Sequence, residues 1–260
     1  MKRKEFVYED ENYDFFTSSK DDFVLDKNFK YIHTNIFYKA FSFVAYRLIM
    51  TPIAFFYTKL RYHHKVVNRK ALKACKKEGY FMYGNHTLMG GDAFIPSLLA
   101  FPKDVFVVVN RANIASKWSR TFILMNGALP IPSSLKGMKN FYDAISYLIA
   151  KKKVIQIYPE AHIWPFYTKI RDYDKVSFRY PCSLDAPVYA FTNTFTKRKF
   201  SSFPKVTTYI DGPFYPDMEM ELKEREEKLH NQVINAMKEK SKFSTYEVHT
   251  YKRKEGEHYD

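Results

Sequence analysis

Tyr83-Gly84-Asn85-His86-Thr87-Leu88-Met89-Gly90-Gly91-Asp92 is the stretch on which the reading of this chain turns. The aromatic run Tyr80-Phe81-Met82 before it has strand character, and the sequence after it predicts a helix opening near Pro96. A His and an Asp therefore sit on a glycine-loosened turn between a buried strand and a helix. An uninterrupted helix would rotate residues six apart by roughly 240° and point them in different directions. Gly90 and Gly91 can take positive φ, which lets the turn fold Asp92 back towards the His86 ring. A carboxylate there fixes the imidazole tautomer and raises its basicity, as a general base near neutral pH requires. The competing reading makes Asn85 and Asp92 turn formers and His86 a loop histidine.

Outward from this turn, apolar runs alternate with helical patterns. Val105-Phe106-Val107-Val108-Val109 and Val154-Ile155-Gln156-Ile157-Tyr158 are continuous enough for strands buried on both faces. Residues 187–191 and 205–210 give two more strands, the latter stopped at Asp211-Gly212-Pro213. Residues 66–79, 118–125 and 136–151 read as helices, and so do residues 217–240 with Asp217 as N-cap. The expected fold class is α/β, a mostly parallel central sheet flanked by helices. Ligand sites in such sheets gather beyond the carboxyl ends of strands, where the His86 turn and the turn at Pro159-Glu160-Ala161-His162 both fall.

Charge is unevenly placed along the 260 residues. The formal net is +14, yet residues 1–33 carry −2 and residues 34–80 carry +9. Residues 1–33 read as a charged, loosely ordered arm. Between residues 41 and 57 only Arg47 is charged, and Pro52 interrupts the run. Seventeen residues is the lower limit for a span, and a central Arg costs roughly 2.5–3.5 kcal/mol on insertion. Two short interfacial membrane helices bent at Pro52 fit better than a span, with a buried core helix as the alternative. The cationic block Lys59 to Lys65 beside them suits an anionic membrane surface; its His63-His64 pair reads as solvated loop. Nucleic acid would be attracted by the same charge, but no recognised motif supports it.

Cys75 and Cys182 form neither a disulfide framework nor a CxxC pair, so the expected location is reducing and cytosol-facing. The N-terminus carries no apolar core of signal-peptide length. The expected organisation is an arm over 1–33, interfacial helices over 34–62, a central domain over 63–216 and a C-terminal helix with a frayed, charged tail over 217–260.

Four blocks together resemble the glycerolipid acyltransferase family, of which 1-acyl-sn-glycerol-3-phosphate acyltransferase is the familiar type. Asn85-His86 with Asp92 resembles its first motif, Asn-His followed by Asp after four intervening residues. Gly127-Ala128-Leu129-Pro130-Ile131 falls where the second motif does. Tyr158-Pro159-Glu160-Ala161 resembles the third, Phe-Pro-Glu-Gly-Thr-Arg, and Ala186-Pro187-Val188 the fourth. The sequence departs from the pattern in two ways. Five residues separate His86 from Asp92, and Ser133 and Ile163 stand where the family carries arginines thought to hold the acceptor's phosphate.

The resemblance implies a membrane-associated O-acyltransferase on the cytoplasmic face, peripheral or monotopic. His86 would be the general base, oriented by Asp92. The acyl donor would be acyl-CoA or an acyl carrier protein thioester, with no cofactor and no metal. The acceptor would be a lysophosphatidic acid-like lyso-lipid, or alternatively a non-phosphate or larger lyso-lipid head; a non-catalytic membrane-surface protein of the same fold is a further reading. Asn85, Glu160 and His162 count among the implied substrate-binding residues, Glu160 positioning the acceptor or an oriented cation. Lys136, Lys139, Lys169 and Arg171 are the cations available to replace the missing arginines.

Overall fold

The computed structural model describes residues 2–16 and 23–254. Residues 17–22 of the expected arm, and Glu255 with the end of the expected tail, lie outside them. The alternating runs become a seven-stranded sheet built from β2 (Lys65–Val67), β3 (Tyr80–Gly84), β4 (Val105–Val109), β5 (Ala128–Pro130), β6 (Val154–Ile157), β7 (Val188–Thr196) and β8 (Lys205–Phe214). Its order is β2-β8-β7-β3-β6-β4-β5. Strands β3 to β7 are parallel, whereas β8 runs antiparallel to β7 and carries β2 parallel to itself.

Alternation along β3 divides the core. Tyr80 and Met82 pack on one face with Leu88, Ile95 and Leu99, under α2 (Thr51–Tyr62) and α3 (Gly91–Ala100). Phe81 and Tyr83 pack on the other with Phe141, Ile145, Leu229 and Val233, from α5 (Leu135–Ala150) and α7 (Leu222–Ser241). Helix α4 (Lys117–Met125) lies over β5, and the short α6 (Arg179–Leu184) precedes β7. Cys75 and Cys182 are buried and free, and burial pushes the Cys182 thiol up to about 12.

Several local expectations are corrected. Residues 66–79 form β2 and a 3-10 turn, Arg69–Lys73, instead of an α-helix. Helix α3 opens at Gly91, five residues before Pro96, so Asp92 lies in its first turn. Strand β8 continues through Asp211-Gly212-Pro213 to Phe214, and α7 begins at Leu222, not Asp217. Asp217 instead uses its carbonyl and carboxylate to hold Arg225 and Lys228 of that helix.

The two bent helices become one helical run of 27 residues, Ile36–Tyr62. It comprises α1 (Ile36–Phe43), a π-helical stretch Val44–Met50, and α2 with Pro52 in its first turn. Pro52 cannot donate to the turn before it, and that turn is widened into the π-helical stretch. The wide turn before it is closed by the Thr51 N–H and hydroxyl, both on the Tyr46 carbonyl. By length and composition the run could cross a membrane, but one side packs on the domain through Ala45, Ala54, Thr58 and Tyr62. The other side exposes Phe37, Phe41, Leu48, Phe56 and Leu60.

The described arm is ordered, contrary to expectation. Strand β1 (Glu5–Tyr8) pairs in parallel with β9 (Thr250–Arg253), which lies where a frayed tail was expected. Further along, Tyr31 donates to the Pro130 carbonyl and packs on Phe141. Charged residues hide these contacts in the sequence, because the burial is carried by the alternate aromatic side chains.

Candidate active site

Strand β3 ends at Gly84, where an added Cβ would meet the Phe191 ring at 2.2 Å, so only glycine lets β3 and β7 approach here. The chain then turns out of the sheet through Asn85 and His86. Gly90, at φ +76°, reverses the backbone and starts α3; Gly91 is already helical. This single reversal returns Asp92 to the His86 ring. His86 Nδ1 lies 2.8 Å from Asp92 Oδ2, which also accepts from the Leu88 N–H at 2.8 Å. Asp92 is 3% exposed, whereas the His86 side chain is 24% exposed. Burial pushes the Asp92 carboxyl above the usual range, while hydrogen bonds from His86, Leu88 and Thr87 pull it back. With Nδ1–H donated to Asp92, Nε2 is the nitrogen left to take a proton.

Pro96 has a second effect on this turn. It lacks the N–H that would bond the Asp92 carbonyl four residues back, and the Tyr158 hydroxyl donates to that carbonyl instead, at 2.6 Å. The Tyr158 ring lies against the imidazole, with centroids 4.6 Å apart and planes 19° apart. The imidazole is thus held at its edge by Asp92 and on its face by Tyr158.

Glu160 follows β6 and is also buried. Its Oε2 accepts the His86 backbone N–H at 2.9 Å, and its Oε1 accepts the Arg171 backbone N–H at 3.0 Å. The Arg171 guanidinium completes the pair at 3.4 Å and lies 4.6 Å from the Trp164 ring. It also donates to the carbonyls of His162 and Glu11. Of the two roles expected for Glu160, this geometry matches an oriented cation, with Arg171 as that cation. Arg171 was expected among the acceptor's phosphate contacts; its side chain is instead 1% exposed and turned into the protein. Burial lowers the Arg171 pKa, and Glu160 raises it again.

The other predicted residues separate into groups. Asn85 is buried and clamps β7, donating to the Asn193 carbonyl at 3.0 Å and accepting its N–H at 2.8 Å. His162 is half-buried and pairs with Asp14 of the arm at 3.2 Å. Lys136, Lys139 and Lys169 are exposed, the first two in the opening turns of α5 and the third in the loop after β6. Ser133 exchanges hydrogen bonds with the backbone of Leu25 at 3.1 and 3.2 Å. Among the described residues no group of His, Cys, Asp and Glu is arranged to hold a metal.

A buried polar chain behind Asp92 escaped the sequence reading. The Thr208 hydroxyl donates its single proton to Asn193 Oδ1 at 2.6 Å, so it must accept from His64 Nε2–H at 2.7 Å. Asn193 Nδ2 in turn points to Asp92 Oδ1 at 3.5 Å. His64, expected in a solvated loop, is buried, and burial with nearby Lys59 lowers its pKa to about 4. The sequence signal was Thr192-Asn193-Thr194, a polar triplet inside an otherwise apolar strand, since buried polar groups need partners.

No family model matches the sequence, and no curated protein matches it. Among solved structures it is similar to the crystal structure of the 1-acyl-sn-glycerophosphate (LPA) acyltransferase PlsC from Thermotoga maritima. The TM-score is 0.55 at 16% identity, over 81% of this chain and 89% of that one. The mostly parallel sheet that presents His86, Asp92 and Glu160 beyond its strand ends is therefore the fold of that acyltransferase.

Proposed function

We propose that this protein is a membrane-surface O-acyltransferase, moving a fatty acyl group from a thioester of coenzyme A or acyl carrier protein to the hydroxyl of a lyso-lipid. The observation that carries this is the His86–Asp92 pair, buried on its Asp side and open on its His side, at the end of a central parallel strand. The acceptor hydroxyl gives its proton to His86 Nε2 as its oxygen attacks the thioester carbonyl carbon. The imidazolium that forms is stabilised by Asp92 through Nδ1–H. When the tetrahedral intermediate collapses, the C–S bond breaks and the thiolate takes the proton back from Nε2. No acyl-enzyme is required, because the thioester is already activated. Glu160 touches neither reactant in this scheme; it fixes the backbone of His86. Ala93, next to Asp92 in the chain, lines with Phe94, Val107, Val109 and Ile123 an apolar cavity of about 230 Å³, room for part of a fatty chain.

The exposed apolar side of residues 36–62 would lie in the interface of an anionic, cytoplasm-facing leaflet, bringing His86 to lipid substrates. For the acceptor, lysophosphatidic acid is the first reading, with Lys136, Lys139 and Lys169 as phosphate contacts beyond the same strand ends as His86. A second reading, an uncharged or zwitterionic lyso-lipid, is favoured by the arm. Leu25 occupies Ser133, and acidic Asp14 occupies His162, close to the two positions without arginines. Purified protein, a labelled acyl thioester and a panel of lyso-lipids resolved by chromatography separate the two. Product from lysophosphatidic acid supports the first reading, and product only from uncharged or zwitterionic acceptors supports the second. No product from any member would contradict acyl transfer to lyso-lipids.

A further inference from the structure

The opposite ends of the strands carry a second, larger cavity of about 580 Å³, well within the range of small-ligand sites. It is lined by Val105 at the start of β4, Gly127 just before β5 and Lys153 just before β6. His86 and Glu160 follow the other ends of β3 and β6, one strand length away, roughly 15 Å. The cavity is therefore separate from the candidate active site. Its mixed chemistry is what calls for a ligand.

Lys39, Arg47, Lys151 and Lys153 line it, against Asp104 as the single acidic lining residue. Asp104 is fully engaged, taking Arg47 on Oδ1 and Lys153 on Oδ2 at 2.6 Å. His33 also lines the cavity, and burial with nearby Lys30 lowers its pKa, which disfavours its charged form. Three positive charges are left in excess. Lys39 and Lys151 are exposed at the rim, while Arg47 is mostly buried. Arg47 Nη1 is buried and has no hydrogen-bond partner among the described residues. That atom is closed off from the cavity, and the guanidinium is held through Nη2 by Asp104 and the Pro102 carbonyl, so the charge free to meet a ligand is that of Lys39 and Lys151 at the rim.

The remaining wall is apolar and aromatic: Tyr31, Phe43, Phe106 and Leu148. A free inorganic anion has no use for such a wall. An amphiphile with an anionic head and a hydrocarbon body uses both parts. The same helix α1 that lines the cavity with Tyr38, Lys39 and Phe43 exposes Phe37 and Phe41 on its outer side. Lipid gathered along that outer side lies next to the rim. We propose that this cavity binds an anionic phospholipid, its phosphate meeting Lys39 and Lys151 at the rim and its acyl region lying along Phe43 and Phe106. The inference shares with the proposed function only the membrane contact of residues 36–62, and it leaves the chemistry at His86 aside.

The test uses the full chain on phosphatidylcholine vesicles containing a minority of phosphatidylglycerol, doped with a photoactivatable form of one or the other lipid. Cross-linked peptides are mapped by mass spectrometry. The expected result is labelling around Phe43, Phe106 and Leu148 by phosphatidylglycerol but not by phosphatidylcholine. The double substitution Lys39→Gln/Lys151→Gln, which changes only exposed side chains, should lower that labelling roughly tenfold. Labelling confined to the outer side of residues 36–62, or equal from both lipids, would overturn the cavity while leaving the membrane contact standing. Loss of cavity labelling on addition of inorganic phosphate would also overturn it, naming a free anion as the occupant. Absence of labelling anywhere would overturn the membrane contact and the cavity together.

Discussion

Tyr158 lies flat against His86, ring centroids 4.6 Å apart, and at the same time its hydroxyl donates to the Asp92 carbonyl that Pro96 leaves without a helical donor. One side chain thus ties the end of β6 to both members of the pair. Phenylalanine at this position would keep the stacking and orphan the carbonyl, which costs about 1–3 kcal/mol for a buried acceptor. Tyr158→Phe should therefore lower the thermal midpoint by several degrees and reduce kcat, with KM little changed. An unchanged midpoint in a melting experiment would show that the carbonyl finds another donor.

Arg171 and Glu160 form a buried ion pair, and breaking such a pair leaves one uncompensated charge inside, typically a loss of 3–5 kcal/mol. Arg171→Ala should consequently appear as a stability defect in denaturant titration, and as a fall in kcat through displacement of the His86 backbone. A variant of normal stability with only a raised KM for a phosphate-bearing acceptor would instead make Arg171 a substrate contact.

His64 gives the fold a pH dependence of definite sign. Its folded-state pKa is about 4 and its unfolded value about 6.5, so the unfolded chain takes up the proton first. Its contribution is fully present above pH ~6.5 and is lost as pH falls towards 4, on the order of 3 kcal/mol in all. Urea midpoints measured at pH 7 and pH 4.5 should differ less in His64→Gln than in the parent protein. An identical slope in both would remove His64 from the acid response.

The His86–Asp92 pair was legible because two glycines after a histidine signal a reversal, and residue types at strand ends carry ligand chemistry in parallel sheets. The opening of α3 at Gly91 was not legible, since Pro96 reads as a first-turn residue unless Tyr158 is known to take over its missing hydrogen bond. The direction of Arg171 was equally hidden. It follows from Trp164 beneath it and from Glu11 of the arm, 160 positions away in the sequence. The arm itself looked unstructured because β1 has no local partner; it pairs with β9 at the far end of the chain. Long-range pairing leaves no periodic trace in a single sequence.

Membrane attachment is best tested on side chains that hold nothing together. Removing residues 1–62 would strip β1 and the buried residues of α2 from the core, so it would unfold the protein as well as release it. Replacing exposed Phe37, Phe41 and Phe56 by serine should instead release the folded protein from anionic vesicles in a sedimentation assay. Raised salt should weaken the parent protein's binding only in part, since apolar contact is not screened. Complete release of the parent by moderate salt would make the attachment purely ionic.

The central claim is that His86 Nε2 takes the acceptor proton, and the most direct measurement is acyl transfer by His86→Ala, compared with the parent protein on a labelled thioester and the lyso-lipid it uses best. Asp92 holds Nδ1 and no other imidazole lies on this turn, so turnover should fall by at least ~100-fold while the melting temperature stays within a few degrees. Retention of more than about a tenth of the parent's turnover in a folded variant would contradict the assignment, because general-base catalysis alone contributes roughly 100-fold or more.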